Sequence, residues 1–164
     1  MDAMTDLPAL RIQRMEHWLI RCERCGTIDH TYGFTDLGSY GRGLGRTCSD
    51  ELAEFSAWED PVFDELLTIV RTFVNDSVSV SKLRECFNRV MSLVADPAPS
   101  GERYTFTGKL CCRQCGSNAT WYKPGEPDVV EIPLPLVAHR EWEHLNLEDK
   151  TKMVEAALCS FGCI

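Results

Sequence analysis

Two copies of one short pattern carry the clearest chemistry in this chain: Cys22-Glu23-Arg24-Cys25-Gly26 and Cys112-Arg113-Gln114-Cys115-Gly116. Two residues between cysteines let one tight turn aim both sulfurs at a common ion. A glycine directly after the second cysteine supplies the positive φ that such a turn demands. Together the copies offer four thiolates, the number that fills a tetrahedral zinc shell. A single Cys-x-x-Cys would read equally well as a redox pair, whereas the repeat points to metal. Four sulfurs leave no open position for water or substrate, so Cys22, Cys25, Cys112 and Cys115 are expected to hold a structural Zn2+.

Other reactive groups are less organised. Cys48 would serve as a nucleophile only beside a histidine, and no spacing pairs it with His30, His139 or His144. His139-Arg140-Glu141-Trp142-Glu143-His144 holds two histidines five apart, without the His-Glu-x-x-His spacing of a zinc protease. Trp142 reads there as an anchor packing this segment onto the cysteine-bearing strands. Cys86 falls on the inner side of a helical pattern, and Cys159 and Cys163 would be a second metal pair only on an intact helix. The segment from Gly33 to Gly45 reads as a mobile loop. It matches neither phosphate-binding fingerprint, but Tyr40, Arg42 and Arg46 make it a candidate partner contact.

The elements that must position these groups are both β and α. His17–Arg21 and Thr27–Tyr32 read as strands flanking the first cysteine pair, after a loose lead-in over the first 14 residues. Tyr104–Leu110, Ala119–Lys123 and Val129–Ile132 read as strands around the second, with Pro133 and Pro135 placing the last at an edge. Between them, three helices are expected: Asp50–Trp58 with Ser49 as N-cap, one opening at Pro61 with Asp60 as cap, and Val80–Ala95. A final helix spans 147–160, capped by Asn146. The fold class is therefore α+β, in one domain of 164 residues. A small antiparallel β-module (15–34 with 103–135) is split by a three-helix insertion (49–96) and followed by a C-terminal helix (146–160).

Paired Cys-x-x-Cys-Gly knuckles flanked by strands resemble a zinc ribbon. The resemblance covers roughly 17–32 and 104–132 and implies one zinc on the four knuckle cysteines. The long insertion departs from most ribbons, whose connections are shorter. It also leaves the task of the protein open, since fold does not specify function.

Composition narrows the task. At 44% apolar and 26% charged the chain has a globular composition. No apolar run approaches the ~20 residues of a membrane span. An acidic start without a signal-peptide pattern, and an odd count of nine cysteines, lead to the expectation of a cytoplasmic protein with reduced thiols. Net charge is −8. Asp50, Glu51, Glu54, Glu59, Asp60, Asp64 and Glu65 follow one another without a Lys or Arg, which suggests an acidic face for a basic partner. The favoured reading is a non-enzymatic interaction module, of the character of an inhibitor or immunity-type protein. A nucleic-acid-associated ribbon using Arg21, Arg24, Lys109, Arg113 and Lys123 is the alternative, and an enzyme with a structural zinc is a third.

Overall fold

The computed structural model describes residues 10–35, 41–75, 77–122 and 125–164. Tyr40 and Lys123 lie outside these residues. Ten elements alternate along the chain in a mixed α+β architecture: β1 (Leu10–Cys22), β2 (Ile28–Phe34), β3 (Arg42–Arg46), β4 (Leu52–Ser56), α1 (Pro61–Phe73), α2 (Val80–Val94), β5 (Ala119–Trp121), β6 (Asp128–Pro135), α3 (Arg140–Glu143) and α4 (Leu147–Ser160).

β1 organises the main sheet. β2 pairs with its Met15–Arg21 half, while β6 and β5 share its opposite edge, pairing with Leu10–His17 and Ile20–Cys22, all antiparallel. β1 is thus a strand from Leu10 onward, where the sequence suggested a loose lead-in to residue 14. The reason is long-range pairing. Leu10 and Ile12 stay exposed, so no buried stripe marks this half; its backbone groups are satisfied by β6, more than a hundred residues away.

The larger correction falls on residues 42–56. Arg42–Arg46 lies within the expected mobile loop, and Leu52–Ser56 within the expected first helix. The two pair instead as an antiparallel hairpin, from Arg42↔Ser56 to Arg46↔Leu52. Ser49 caps no helix; its hydroxyl donates to Glu102. The hairpin turn is closed by Thr47 N donating to Glu51 O, with Asp50 at φ 64°. The span 49–96 therefore holds two helices and the second strand of this hairpin. Tyr104–Leu110 is no regular strand either, making a single bridge from Thr105 to Arg46.

The glycines of this segment serve packing. A Cβ on Gly45 would come within 2.8 Å of the Phe106 ring and 3.2 Å of Tyr104 Cβ. Gly43, two residues earlier on the same face, lies against Phe106 and Phe55. Bare backbone lets the aromatics close over the hairpin. Gly45→Ala is expected to lower stability by about 1–3 kcal/mol, the usual cost of overpacking a filled core, read as a shifted urea midpoint. An unshifted midpoint would contradict this packing.

The helices follow their sequence signals. Asp60 accepts from Val62 N at 2.9 Å, Ser79 from Lys82 N at 3.2 Å and Asn146 from Asp149 N at 2.9 Å, capping α1, α2 and α4. Leu66, Val70, Val90, Met91, Val154 and Leu158 are all at most 1% exposed, in a core shared by the three helices and β4. Trp142 enters this helical core rather than packing on the cysteine-bearing strands, and its indole N–H donates to Glu65 at 2.8 Å. Cys86 sits in the same core as expected, but it is joined by a disulfide to Cys163, Cα atoms 5.9 Å apart. This pins the chain end to α2, corrects the reading of these two thiols as reduced, and takes Cys163 out of any metal pair with Cys159.

His139, 8% exposed, links the helices through charge. Its Nδ1 is 2.6 Å from the Val94 carbonyl and its Nε2 2.6 Å from an Asp60 carboxylate oxygen. Both neighbours are acceptors, so only the doubly protonated ring satisfies both. Burial by itself would lower the His139 pKa; the Asp60 and Val94 hydrogen bonds outweigh it and the net shift is upward. A raised folded-state pKa gives stability that is complete below the unfolded value of about 6.5 and is lost as pH rises through the folded value. Melting temperature is expected to fall on the alkaline side of neutrality, and His139→Gln should flatten that decline. A wild-type melting temperature level from pH 6 to 9 would refute the imidazolium.

Among the described residues no helix is long and apolar enough to cross a membrane.

Candidate metal centre

The two cysteine knuckles fold alike. In the first, Gly26 N donates to Cys22 O at 3.1 Å and Cys22 N to Thr27 O at 2.9 Å. In the second, Gly116 N donates to Cys112 O and Cys112 N to Ser117 O, both at 2.8 Å. Gly26 and Gly116 take φ values of 74° and 70°, the left-handed conformation that glycine adopts without strain. The sheet brings the turns together. β1 carries the first knuckle at its end, β5 pairs with Ile20–Cys22, and Cys111 bridges Asn118 just before β5. Behind the sulfurs lies a small apolar cluster of Ile20, Leu110 and Ala119.

The four sulfurs converge within 4.8 Å of one another. Cys22 lies 3.5 Å from Cys115, Cys25 lies 3.6 Å from Cys112, and Cys115 lies 3.7 Å from Cys25. A tetrahedral ion with bonds of about 2.3 Å, the zinc–thiolate length, separates its ligands by about 3.8 Å. The cluster is therefore close enough to hold one metal ion. Cys22 and Cys112 are buried, while Cys25 and Cys115 form the outer edge.

Local electrostatics divide the sulfurs. Arg24 N and Cys25 N donate to Cys22 Sγ at 3.3 and 3.4 Å. Hydrogen bonds from Thr27 bring the Cys25 thiol down to about 6. The Cys112 thiol is helped by the Cys115 N–H, yet desolvation and the adjoining Cys22 and Cys25 sulfurs push it up to about 11. Four adjacent thiols cannot all ionise beside one another; a divalent cation removes that conflict.

Most of the remaining sequence candidates are engaged within the fold. Every one of the seven acids except Asp64 has a side-chain partner inside the chain. Asp50 accepts from Arg46 at 2.6 Å and Thr31 at 3.2 Å, and Glu51 from Ser100. Glu54, 1% exposed, accepts from Arg42 Nε at 2.7 Å and Gln13 Nε2 at 3.0 Å. Glu59 pairs with Arg11 at 2.5 Å and Asp60 with His139. Glu65 accepts from Lys150 at 2.8 Å as well as Trp142; burial would raise its pKa, and Lys150 and Trp142 hold it below the ordinary range. The run lacks bases in sequence because its bases arrive from elsewhere in the fold.

Cys48 is not activated. Its contact with the Cys111 thiol and its burial push it up to about 11, the opposite of what a thiolate nucleophile needs. His144 is exposed at the end of α3, apart from the engaged ring of His139. Of the basic residues near the knuckles, Arg113 is committed to Asp29 through Nε at 2.6 Å, and Arg21 lies over the Tyr122 ring at 5.7 Å. Arg24 and Lys109 face solvent. The His139–Asp60 pair and the Cys86–Cys163 disulfide are missed by sequence reasoning, since each joins residues separated by 77 positions or more.

Comparison with protein-family models, curated proteins and solved structures finds no match to this chain.

Proposed function

We propose that Cys22, Cys25, Cys112 and Cys115 bind one structural Zn2+, and that the protein is a non-enzymatic interaction module whose insertion is held in shape by that clamp. The observation that carries the reading is the convergence of two like knuckles on one cluster of four sulfurs, the number that fills a tetrahedral zinc shell and leaves no position for chemistry. Thiolate-only ligands select zinc over magnesium or calcium, which take oxygen. Elemental analysis of freshly purified protein is expected to find one zinc per chain. Absence of metal, or an iron–sulfur absorption spectrum, overturns the assignment. For the interaction role, the full chain isolated gently from its native cells is expected to carry a protein partner in fixed ratio.

A basic partner drawn by the Asp50–Glu65 acids gains little support, because internal cations already neutralise most of that charge. The insertion meets its partner by another surface. One observation favours nucleic acid as a second reading: Trp121 and Tyr122 are exposed beside Arg21, offering rings for stacking next to a cation. Affinity for single-stranded RNA that falls steeply with salt and requires Arg21 and Arg24 would establish it in place of the first.

A further inference from the structure

A groove of about 580 Å³ runs between the β3–β4 hairpin and the α1–α2 pair. Its walls are aromatic. Phe55 stacks on Phe63 at 5.5 Å, Phe63 meets Phe87 at 4.9 Å, and Phe106 closes edge-on to Phe55 at 6.3 Å. The volume is in the range of sites that take a ligand or several side chains, and Val80, 82% exposed, extends the apolar surface at the rim.

The rim is also positively charged, against the trend of a chain at −8. Arg42 and Arg84 both line the groove. Arg42 gives its Nε to Glu54 and lies over the Phe34 ring at 4.3 Å, and its buried Nη2 has no hydrogen-bond acceptor among the described residues. Arg84 is exposed and has no acidic partner among the described residues. Glu54 already neutralises Arg42, but the groove lining holds no acid of its own, and Arg84 can take an incoming carboxylate.

We propose that this groove receives an amphipathic helix of a partner protein, with its apolar residues on the phenylalanine floor and its acidic flank on Arg84. The inference rests on the reading of the chain as an interaction module and gives that module its surface and the chemistry of its partner. An open trough beside two helices suits helix-in-groove recognition, in which anchors at i, i+3, i+4 and i+7 enter an apolar channel. Charge at the rim then sets orientation and encounter rate.

The test is selection of random 16-residue peptides displayed on phage against the full-length, zinc-loaded protein. Recovered sequences are resynthesised and titrated by fluorescence anisotropy. Leu, Ile, Phe or Trp at helical spacing together with Asp or Glu is the expected signature. Both Arg84→Glu and Val80→Glu lie on exposed positions that leave the core intact, checked by unchanged melting temperature. Each is expected to weaken the selected peptides about tenfold or more. No enrichment, or enrichment of basic peptides, overturns the proposal. Acidic apolar peptides that bind both variants as well as the parent also overturn this groove, while leaving an interaction module that works through another face.

Discussion

Removing the proposed zinc is expected to melt the knuckle end of the molecule while the helical core stays folded. Two hydrophobic clusters of very different size lie behind this asymmetry. The larger joins β4, α1, α2, α4 and Trp142, whereas among the described residues the cluster at the knuckles holds Ile20, Leu110 and Ala119. Three side chains bury too little surface to order two cysteine turns against their conformational entropy. An ion bound at a thousand times its dissociation constant contributes about 4 kcal/mol to the state that binds it. Chelation should therefore raise amide exchange roughly a thousandfold at Cys22–Thr27 and Leu110–Ala119, and much less in α1 and α2. Cys22→Ser and Cys115→Ser should reproduce the pattern with metal content near zero, because binding and local folding are one equilibrium. Metal-free protein with full protection at both knuckles would show that they fold without an ion.

Glu54→Ala is expected to cost about 3–5 kcal/mol, the range for breaking a buried ion pair from one side. Glu54 sits in the middle of β4 with neighbours on both faces of the hairpin. It ties the hairpin to its own partner strand through Arg42 and to β1 through Gln13. Its backbone carbonyl accepts from Val137 N at 2.9 Å just beyond β6, so the residue lies where hairpin and main sheet meet. Truncation leaves the Arg42 guanidinium, whose Nη2 is buried without an acceptor among the described residues, without the carboxylate that now pairs with it. Pairing the change with Arg42→Ala should recover part of the loss, since the double variant no longer buries a lone charge. Urea unfolding of the four proteins of this cycle measures both effects. A single-variant cost below about 1 kcal/mol would mean the pair is solvated.

Much of the architecture is written locally and can be read without a structure. A cap side chain, the four following residues and a 3.6-residue apolar period are close in sequence, so the spans of α1, α2 and α4 follow from residues that touch within one turn. The same holds for the knuckles: Cys, Cys and Gly within five positions dictate the turn, and their repetition dictates a four-sulfur site. Strand assignments at β2, β5 and β6 are legible from alternation, though their ends are not.

What local sequence could not decide depends on partners far along the chain. Leu52–Ser56 has helix-compatible residues and an acidic neighbourhood, and it becomes a strand because Gly43 and Gly45 admit Phe106 and Tyr104 across the hairpin. The first half of β1 takes its form from β6. Asp60 meets His139 79 positions away and Glu65 meets Lys150 85 away, so an apparently unopposed acidic run becomes a network of internal pairs. The sequence by itself determined the two cysteine knuckles, the α+β class and three principal helices, because those rest on short-range turn chemistry and periodicity. Tertiary structure alone decided which acids are neutralised and that Arg84 has no acidic partner among the described residues, because pairing of strands and of charges is settled by proximity in space.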